Sequence, residues 1–201
     1  MPEFLQECDV WLFYLINHGT SNPVFDLVMP FISEVRYFYI PYALLFLVLL
    51  WKGGAAGRWC ALALAATVAI TDPLNSRVIK EAVARVRPCR TLPDVRTLAP
   101  CGEGKSFPSS HAANNLAAAV VIVFYFRRCW WVAFGFAGAV AFSRVYLGVH
   151  YPADVIGGGV EGALIALLVV WLIEQLRSYL RRRKTKKAAE DSSSTALSSD
   201  A

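Results

Sequence analysis

Six polar residues stand where apolar segments of this 201-residue chain meet their loops. They are Lys80, Arg87, His111, Arg144, His150 and Asp154. Three cations, two imidazoles and one carboxylate are what a phosphoryl-transfer site without metal requires. Such a site needs positive charge around the phosphate oxygens, a nucleophile in line with the leaving group, and a proton for the departing oxygen.

The six residues fall into three blocks with fixed internal spacing. The blocks are Lys80 followed after six residues by Arg87-Pro88, then Pro108-Ser109-Ser110-His111, then Ser143-Arg144 followed by His150 and Asp154. This order resembles the three-part signature of the type 2 phosphatidic acid phosphatase superfamily, which includes membrane lipid phosphatases, soluble acid phosphatases and vanadium haloperoxidases. The resemblance extends through the apolar segments around the blocks and implies a histidine-based phosphatase.

Lys80, Arg87 and Arg144 can supply the positive charge. Arginine has planar paired donors that match phosphate oxygens, whereas lysine acts as a compact charge. A single cation at a helix end beside a membrane is more simply explained by snorkelling towards the lipid headgroups. Because three of them accompany two histidines, we predict that all three bind phosphate.

Ser109 and Ser110 precede a run of good helix formers, so the backbone amides of Ser110 and His111 are expected at a helix N-terminus. Free amides and the helix dipole favour an anion there, and Ser109 is also a suitable N-cap. We therefore predict that both serines contribute to phosphate binding. The family usually has glycine where Ser110 stands; serine would be strained at positive φ but harmless in a first helical turn.

His150 and Asp154 are four residues apart across a predicted helix start at Pro152, so the carboxylate can reach one ring nitrogen and fix the tautomer. The other nitrogen is then free to attack phosphorus. The resemblance implies that His150 is a nucleophile that forms a phosphohistidine and that Asp154 orients it. It also implies that His111 protonates the leaving oxygen and later activates water.

Four further polar residues lie within about two helical turns of the blocks: Asp72, Asn75, Arg77 and Glu161. Ionisable residues within membrane spans are usually paired inside the bundle, so neutralisation between helices and contact with substrate are both open for them. Four glycines near Asp154 are expected to allow close helix packing. They are Gly157, Gly158, Gly159 and Gly162.

The whole chain is too apolar for an ordinary soluble domain, with 56% hydrophobic residues and a mean hydropathy of +0.44. Near-continuous apolar runs lie at about 36 to 51, 57 to 79, 110 to 126, 129 to 149 and 153 to 176. These lengths approach the roughly 20 residues that cross a bilayer core. We predict an all-α integral membrane bundle of about five transmembrane helices, preceded by short amphipathic helices at Phe4 to Asn17 and Val24 to Ser33.

Basic residues favour one of the two faces that these runs define. That face holds Lys52, Arg58, Arg127, Arg128, Arg177 and the run from Arg181 to Lys187. Because short basic loops stay in the cytoplasm, the site is expected to face the periplasm or cell exterior from a multi-pass protein of the cell inner membrane. We then expect the basic residues behind the net charge of +5 to contact anionic membrane lipids and not nucleic acid.

We expect a single membrane-embedded phosphatase domain over 1–180 and a basic, then Ser-rich, disordered cytoplasmic tail over 181–201. Cys89 and Cys101 flank a Pro-containing stretch of the outer loop. A disulfide, which an oxidising compartment would permit, and two free thiols are both open. The oligomeric state is open as well.

Together these features predict a membrane lipid phosphatase that removes a terminal phosphate from a lipid (pyro)phosphate. No cluster has metal-ligand spacing, so no metal or other cofactor is expected. The resemblance favours undecaprenyl pyrophosphate; phosphatidylglycerol phosphate, phosphatidate and lipid A phosphates stay open, because the motifs recognise phosphate and not the lipid tail. The apolar runs disfavour a haloperoxidase, and the intact catalytic set disfavours a non-catalytic lipid-binding or transport protein.

Overall fold

A computed structural model of the chain describes the backbone from residue 3 to residue 199 and the side chains from residue 3 to residue 186. Every regular element in that range is a helix, which confirms the predicted all-α class. The α-helices are α1 (Glu3–Asn17), α2 (Pro23–Ser33), α3 (Tyr39–Trp51), α4 (Gly54–Pro73), α5 (Lys80–Val83), α6 (Pro88–Thr91), α7 (Ser110–Tyr125), α8 (Trp130–Tyr146) and α9 (Pro152–Ser199). Short 3-10 turns lie at Val35–Phe38 and Arg127–Cys129, and a π-helical turn at Leu74–Ile79 joins α4 to α5.

Helix α7 lies at the centre of the bundle and packs against α4, α8 and α9. Glycines let α9 approach it closely: a Cβ on Gly162 would strike the backbone of Ala113, and one on Gly158 would strike the backbone of Ser109. These two contacts confirm the predicted role of the glycines in helix packing. They also hold the start of α7 firmly against the first turns of α9.

The five predicted apolar runs coincide with α3, α4 and its π-helical extension, α7, α8 and α9. Among the described residues, two helical stretches are long and apolar enough to cross a membrane, Gly54–Thr91 and Pro152–Lys186. A third is obtained if α2 and Val35–Trp51, which meet at a bend of 66°, form one span. The membrane bundle is confirmed, and the number of five spans stays a prediction.

Large apolar side chains cover the outer surface of the bundle. Examples on three different helices are Leu44, Val132, Leu164 and Leu168, all of them exposed. An apolar surface of this extent would be unfavourable in water and is suited to the hydrocarbon of a bilayer. The fold is therefore consistent with a membrane-embedded protein.

Helices α1 and α2 occupy the two segments where short N-terminal helices are predicted, and both pack on α8. The side-chain oxygen of Asn22 caps α2 by accepting a hydrogen bond from the Phe25 amide at 2.9 Å. Phe13 of α1 is fully buried beside Val145 and Tyr151, so α1 is part of the packed core. Whether the two helices lie at the membrane interface stays a prediction.

The loop between α6 and α7 is fastened to these N-terminal helices. The Arg96 guanidinium donates to both carboxylate oxygens of Asp26, at 3.0 and 2.9 Å. The Asn17 side chain donates to the Arg96 carbonyl at 2.9 Å and accepts from the Arg96 amide at 3.0 Å. This loop carries residues of the site, and these contacts limit its movement.

Cys89 and Cys101 are joined by a disulfide, with their Cα atoms 6.2 Å apart. Of the two alternatives that the sequence leaves open, a disulfide and two free thiols, the structure contains the disulfide. The bond closes the loop that begins immediately after Arg87 and Pro88, so it ties a predicted phosphate ligand to the outer loop.

The division into a membrane domain over 1–180 and a disordered tail over 181–201 stays a prediction. The backbone of α9 continues to Ser199, while the side chains from residue 187 onward and residues 200 and 201 lie outside the described part. The basic side chains from Arg181 to Lys186 are exposed.

Replacing Cys89 and Cys101 together by alanine should lower the thermal unfolding midpoint. A disulfide that closes a loop of this length stabilises a fold by roughly 3 kcal/mol, because it restricts the unfolded chain. The measurement is thermal unfolding of the purified protein in detergent, with and without reductant. Cys129→Ala, at an exposed unpaired cysteine, is the matched control. An unchanged midpoint in the double variant, or alkylation of both cysteines without reductant, would contradict this prediction.

Candidate active site

The residues predicted to form the site come together at one end of the bundle, each at or near the end of a helix. Lys80 begins α5, Arg87 precedes α6, Ser109 and Ser110 start α7, Arg144 lies in the last turn of α8, and Asp154 lies in the first turn of α9. His150 lies in the loop between α8 and α9. Helix ends leave polar groups and long side chains free to meet there, while the helix bodies stay apolar.

His150 is almost completely buried, and its two ring nitrogens have different neighbours. Nε2 lies 3.3 Å from Nη1 of Arg87, and Nδ1 lies 3.5 Å from Oδ2 of Asp154. A guanidinium can only donate, so Nε2 must be the accepting nitrogen and the ring proton must lie on Nδ1. Nδ1 makes no hydrogen bond to the described groups, so the fixing of the tautomer by Asp154 stays a prediction, which the nearness of the carboxylate supports.

The surroundings of His150 keep its ring neutral. Burial lowers the pKa of His150 to about 4, and the charges of Arg144 and Arg87 act in the same direction, while the nearby carboxylate of Asp154 offsets these effects only in part. At neutral pH the ring therefore presents an unprotonated Nε2. A neutral imidazole with an oriented lone pair is the form that can attack phosphorus.

The carboxylate of Asp154 is fully buried and is held by several donors. It accepts hydrogen bonds from the Ser106 hydroxyl, from Nη1 of Arg85 at 2.8 Å and from the amide of Tyr151 at 2.8 Å. A buried charge requires such partners, since it has lost its contact with water. Asp154 is thus rigidly placed before it acts on His150.

Arg85 and Asp9 are residues of the site that the sequence analysis did not single out. Arg85 bridges Asp154 to Asp9 of α1, donating to Asp9 at 2.6 Å, and its guanidinium lies 3.9 Å above the ring centre of Tyr151. The other oxygen of Asp9 accepts from the amide of Ala153 at 2.8 Å. The sequence signal for Asp9 is weak, because this residue follows the polar Gln6 and Glu7 and stands just before the apolar stretch of α1 that begins at Val10.

Lys80, Arg87 and Arg144 differ from the other buried cations of the protein. Within the part of the chain that is described, none of the three lies within salt-bridge distance of a carboxylate, whereas Arg85 and Arg96 are both paired. Unpaired cations in a buried site create a strong positive field. The arrangement is suited to an anionic ligand.

Arg87 and Arg144 are held by neutral groups that leave their charge uncompensated. Arg87 donates to the carbonyl oxygens of Gly104 at 2.9 Å and Val149 at 3.1 Å. Arg144 donates to the hydroxyl of Ser33 at the end of α2, and its buried Nε has no hydrogen-bond partner among the described groups. Ser33 was not foreseen either, and its backbone faces the ring of His111.

His111 lies in the first turn of α7, within electrostatic reach of Arg144, His150 and Lys80. It is partly exposed, whereas His150 is buried. The two imidazoles therefore occupy one site, with the more accessible ring placed where it can exchange a proton with a ligand or with water.

The two serines at the start of α7 behave differently from each other. Ser109 takes the N-cap position, but its side chain makes no capping hydrogen bond and its buried Oγ has no partner among the described groups, so the expected capping by its hydroxyl is wrong. Its amide donates to the Asp154 carbonyl at 2.9 Å. Ser110 has ordinary helical backbone geometry, since the described non-glycine residues with positive φ are Ala84 and Asp94. Serine in place of the family glycine is thus unstrained.

The further polar residues near the blocks separate into two groups. Asn75 is fully buried and bonds to both Ser110 and Glu161, with each distance at 2.7 Å. Asp72 and Arg77 are exposed, and Asp72 accepts a hydrogen bond from Asn114 at 3.3 Å. Glu161 is therefore hydrogen-bonded to an amide, and no cation of the described residues lies within salt-bridge distance of it, so neutralisation by a direct ion pair is not seen there.

No group of three or more His, Cys, Asp or Glu side chains that could hold a metal ion occurs among the residues described. The positive charge of the site comes from its own lysine and arginines.

Comparisons with known proteins agree with this geometry. The family model of the PAP2 superfamily matches residues 56–178. Over 193 residues the chain is 28% identical to a lipid A 4'-phosphatase of Bacteroides thetaiotaomicron, with 90% of this chain and 84% of that protein covered. Over 165 residues it is 32% identical to the undecaprenyl-diphosphatase BcrC of Bacillus subtilis, with 81% and 83% covered.

A solved structure is similar as well. The PAP2-type phosphatidylglycerolphosphate phosphatase of Bacillus subtilis superposes with a TM-score of 0.64 at 25% identity, covering 85% of this chain and 87% of that one. The family match includes Lys80, Arg87, His111, Arg144, His150 and Asp154, whereas α1 and α2 lie before it. With more than half of its length matched, the chain belongs to the PAP2 superfamily and is a membrane lipid phosphatase.

Proposed function

We propose that this phosphatase hydrolyses the terminal phosphate of undecaprenyl pyrophosphate through a phosphohistidine on His150. The observation that carries the chemistry is the neutral, oriented Nε2 of His150, which lies beside Arg87 and within electrostatic reach of Arg144. Among the described residues, neither arginine is within salt-bridge distance of a carboxylate. The relative that is an undecaprenyl-diphosphatase, at 32% identity over most of both chains, supports the substrate. Lipid A phosphate and phosphatidylglycerol phosphate are competing substrates, because other relatives are a lipid A 4'-phosphatase and a phosphatidylglycerophosphatase. Phosphatidate is the alternative that the sequence leaves open.

In the first step the terminal phosphate binds among Lys80, Arg87 and Arg144. Arg87 donates to Nε2 of His150, so substrate must redirect this donor to a phosphate oxygen and release the lone pair. Nε2 then attacks phosphorus, the P–N bond forms, and the bond between phosphorus and the leaving oxygen breaks. His111 takes up a proton when the anionic phosphate binds beside it, and it gives this proton to the leaving oxygen. Asp154 stabilises the charge that develops on the ring of His150.

In the second step His111 removes a proton from water, which attacks the phosphohistidine. The P–N bond breaks, inorganic phosphate forms, and His150 regains its neutral state. The amides of Ser110 and His111 at the start of α7, together with the positive end of the helix dipole, favour the negative charge of the transferred group.

We place the site on the outer face of the inner membrane. Lys52 and Arg58 lie at the start of α4, and Arg127 and Arg128 follow the end of α7, so these cations occupy the helix ends opposite to the site. The positive-inside rule assigns that end to the cytoplasm. This orientation supports an enzyme that acts on phosphates displayed towards the periplasm or cell exterior.

Phosphate release from a lipid panel tests the proposed function. We expect turnover of undecaprenyl pyrophosphate to exceed that of phosphatidylglycerol phosphate, phosphatidate and a lipid A phosphate, without added metal and unaffected by EDTA. The measurement is inorganic phosphate released in detergent micelles, with kcat/KM for each lipid. A higher kcat/KM for another lipid would replace the substrate, and loss of activity with EDTA that magnesium restores would contradict the metal-free chemistry.

Replacing His150 by alanine should abolish turnover and the covalent phosphoenzyme. Replacing His111 by alanine should slow turnover by about 10² to 10⁴, the usual contribution of a general acid, and should leave His150 able to react. Phosphoenzyme is measured by acid-labile ³²P after mixing with labelled substrate. The control is His18→Ala, whose ring contacts the Asp94 carbonyl at 2.6 Å away from the site. Normal turnover in His150→Ala would disprove the assignment of the nucleophile.

Replacing Asp9 by asparagine should lower kcat by about tenfold with little change in KM. The variant weakens the ion pair that holds Arg85 on Asp154, so it removes a charge-assisted bond of roughly 1.5 kcal/mol or more without touching phosphate. The measurement is steady-state phosphate release. Glu7→Gln on the same helix, at an exposed carboxylate, is the matched control. Equal kcat in the two variants would show that Asp9 does not act on the site.

A further inference from the structure

A continuous hydrogen-bonded chain leads from the interior of α9 to Lys80. Nδ2 of Asn75 donates to Oε2 of Glu161 at 2.7 Å. The Ser110 hydroxyl donates to Oδ1 of Asn75 at 2.7 Å, and Nζ of Lys80 donates to the same hydroxyl at 2.9 Å. Each of the three bonds joins a different pair of elements, and Asn75 at the centre is fully buried.

The two ends of this chain determine the direction of every bond in it. A carboxylate only accepts, so Asn75 must turn its amide nitrogen towards Glu161 and its oxygen towards Ser110. The Ser110 hydroxyl must then donate to Asn75, which leaves its lone pairs towards Lys80. An ammonium only donates, so Lys80 fits that end. Reversing the Asn75 amide would set its oxygen against the carboxylate of Glu161, and this alternative is excluded on that ground.

Asn75 lies where the helical backbone is irregular. Asn75 lies in the π-helical turn Leu74–Ile79, which ends immediately before Lys80. Such turns insert a residue into a helix and redirect the side chains around it, and they occur frequently at functional sites. Here the turn brings Asn75 between Ser110 and Glu161 and places Lys80 at the start of the next helix.

We infer that Ser110, Asn75 and Glu161 form a relay that positions Nζ of Lys80 for phosphate, and that Ser110 is a positioning residue. The Ser110 proton is committed to Asn75, so this hydroxyl acts on the substrate through Lys80 and not as a donor of its own. The family glycine at this position has no hydroxyl and cannot make either bond. In this chain the hydroxyl of Ser110 thus links Lys80 to the body of α9 through Asn75 and Glu161. The inference rests on the proposed role of Lys80 as a phosphate ligand.

A double-mutant cycle between Ser110→Ala and Lys80→Met tests the relay. If Ser110 acts through Lys80, Ser110→Ala should lower kcat/KM by about tenfold in the wild-type background and leave it unchanged in the Lys80→Met background. The affinity for inorganic vanadate, measured by calorimetry on the same four proteins, should follow the same pattern and needs no turnover. Thermal midpoints of all four report any loss of stability separately.

Two further variants keep the test independent of folding. Ser110→Gly installs the residue that is usual in the family and should reproduce the loss seen in Ser110→Ala. Ser110→Thr keeps the hydroxyl and should restore kcat/KM and vanadate affinity to within about twofold of the original protein. If the hydroxyl positions Lys80, threonine should restore kcat/KM and vanadate affinity, and glycine should restore neither.

The outcomes separate the relay from the proposed function. Equal losses from Ser110→Ala in both backgrounds, or no loss in either, would overturn the relay while leaving the role of Lys80 intact. Full activity and full vanadate affinity in Lys80→Met would overturn the proposed role of Lys80 and the relay with it. Normal activity in Ser110→Gly with loss only in Ser110→Ala would mean that the methyl group, and not the missing hydroxyl, is responsible, and would also overturn the relay.

Discussion

The rest of the site depends on one buried charge, the carboxylate of Asp154. It has no contact with solvent, so its partners must come from the protein, and they come from several parts of the chain. Arg85 lies between α5 and α6, and Ser106 lies between α6 and α7. The Tyr151 amide belongs to the turn before α9, and Asp9 of α1 is joined to the cluster through Arg85. Satisfying this carboxylate therefore brings the loop, α1 and the start of α9 to a single point.

The cations of the site are held in the opposite way, by neutral groups and not by a charged partner. Lys80, Arg87 and Arg144 are held by hydroxyl and carbonyl oxygens, which fix their positions without cancelling their charge. A positive field that is formed before a ligand arrives is suited to binding an anion, as the proposed role in phosphate binding requires. On the Nδ1 side of His150, the Asp154 carboxylate is thus paired with Arg85, whereas the cations on the opposite side have no carboxylate within salt-bridge distance among the described residues.

The N-terminal helices have a part in this arrangement that the family match does not include. Residues 56–178 contain all six residues of the three blocks, yet α1 and α2 supply Asp9 and Ser33, which contact Arg85 and Arg144. Arg96 and Asn17 tie the same helices to the loop that carries the disulfide. Loss of these helices would leave the catalytic residues present and their supports incomplete.

The sequence by itself determined the helical class, the apolar segments and the residues expected to do chemistry. These features are local: hydropathy is read within one segment, and the four-residue spacing of His150 and Asp154 keeps the two side chains within reach of each other. Only the tertiary structure decided that Arg85 joins Asp9 to Asp154, that Asn75 joins Glu161 to Ser110, and that Cys89 is bonded to Cys101. The first two connections run between residues 35 to 86 positions apart, and packing of helices, not local spacing, brings such residues together. The hydroxyl of Ser109 shows the same limit, since its N-cap position was evident from the sequence but its surroundings were not.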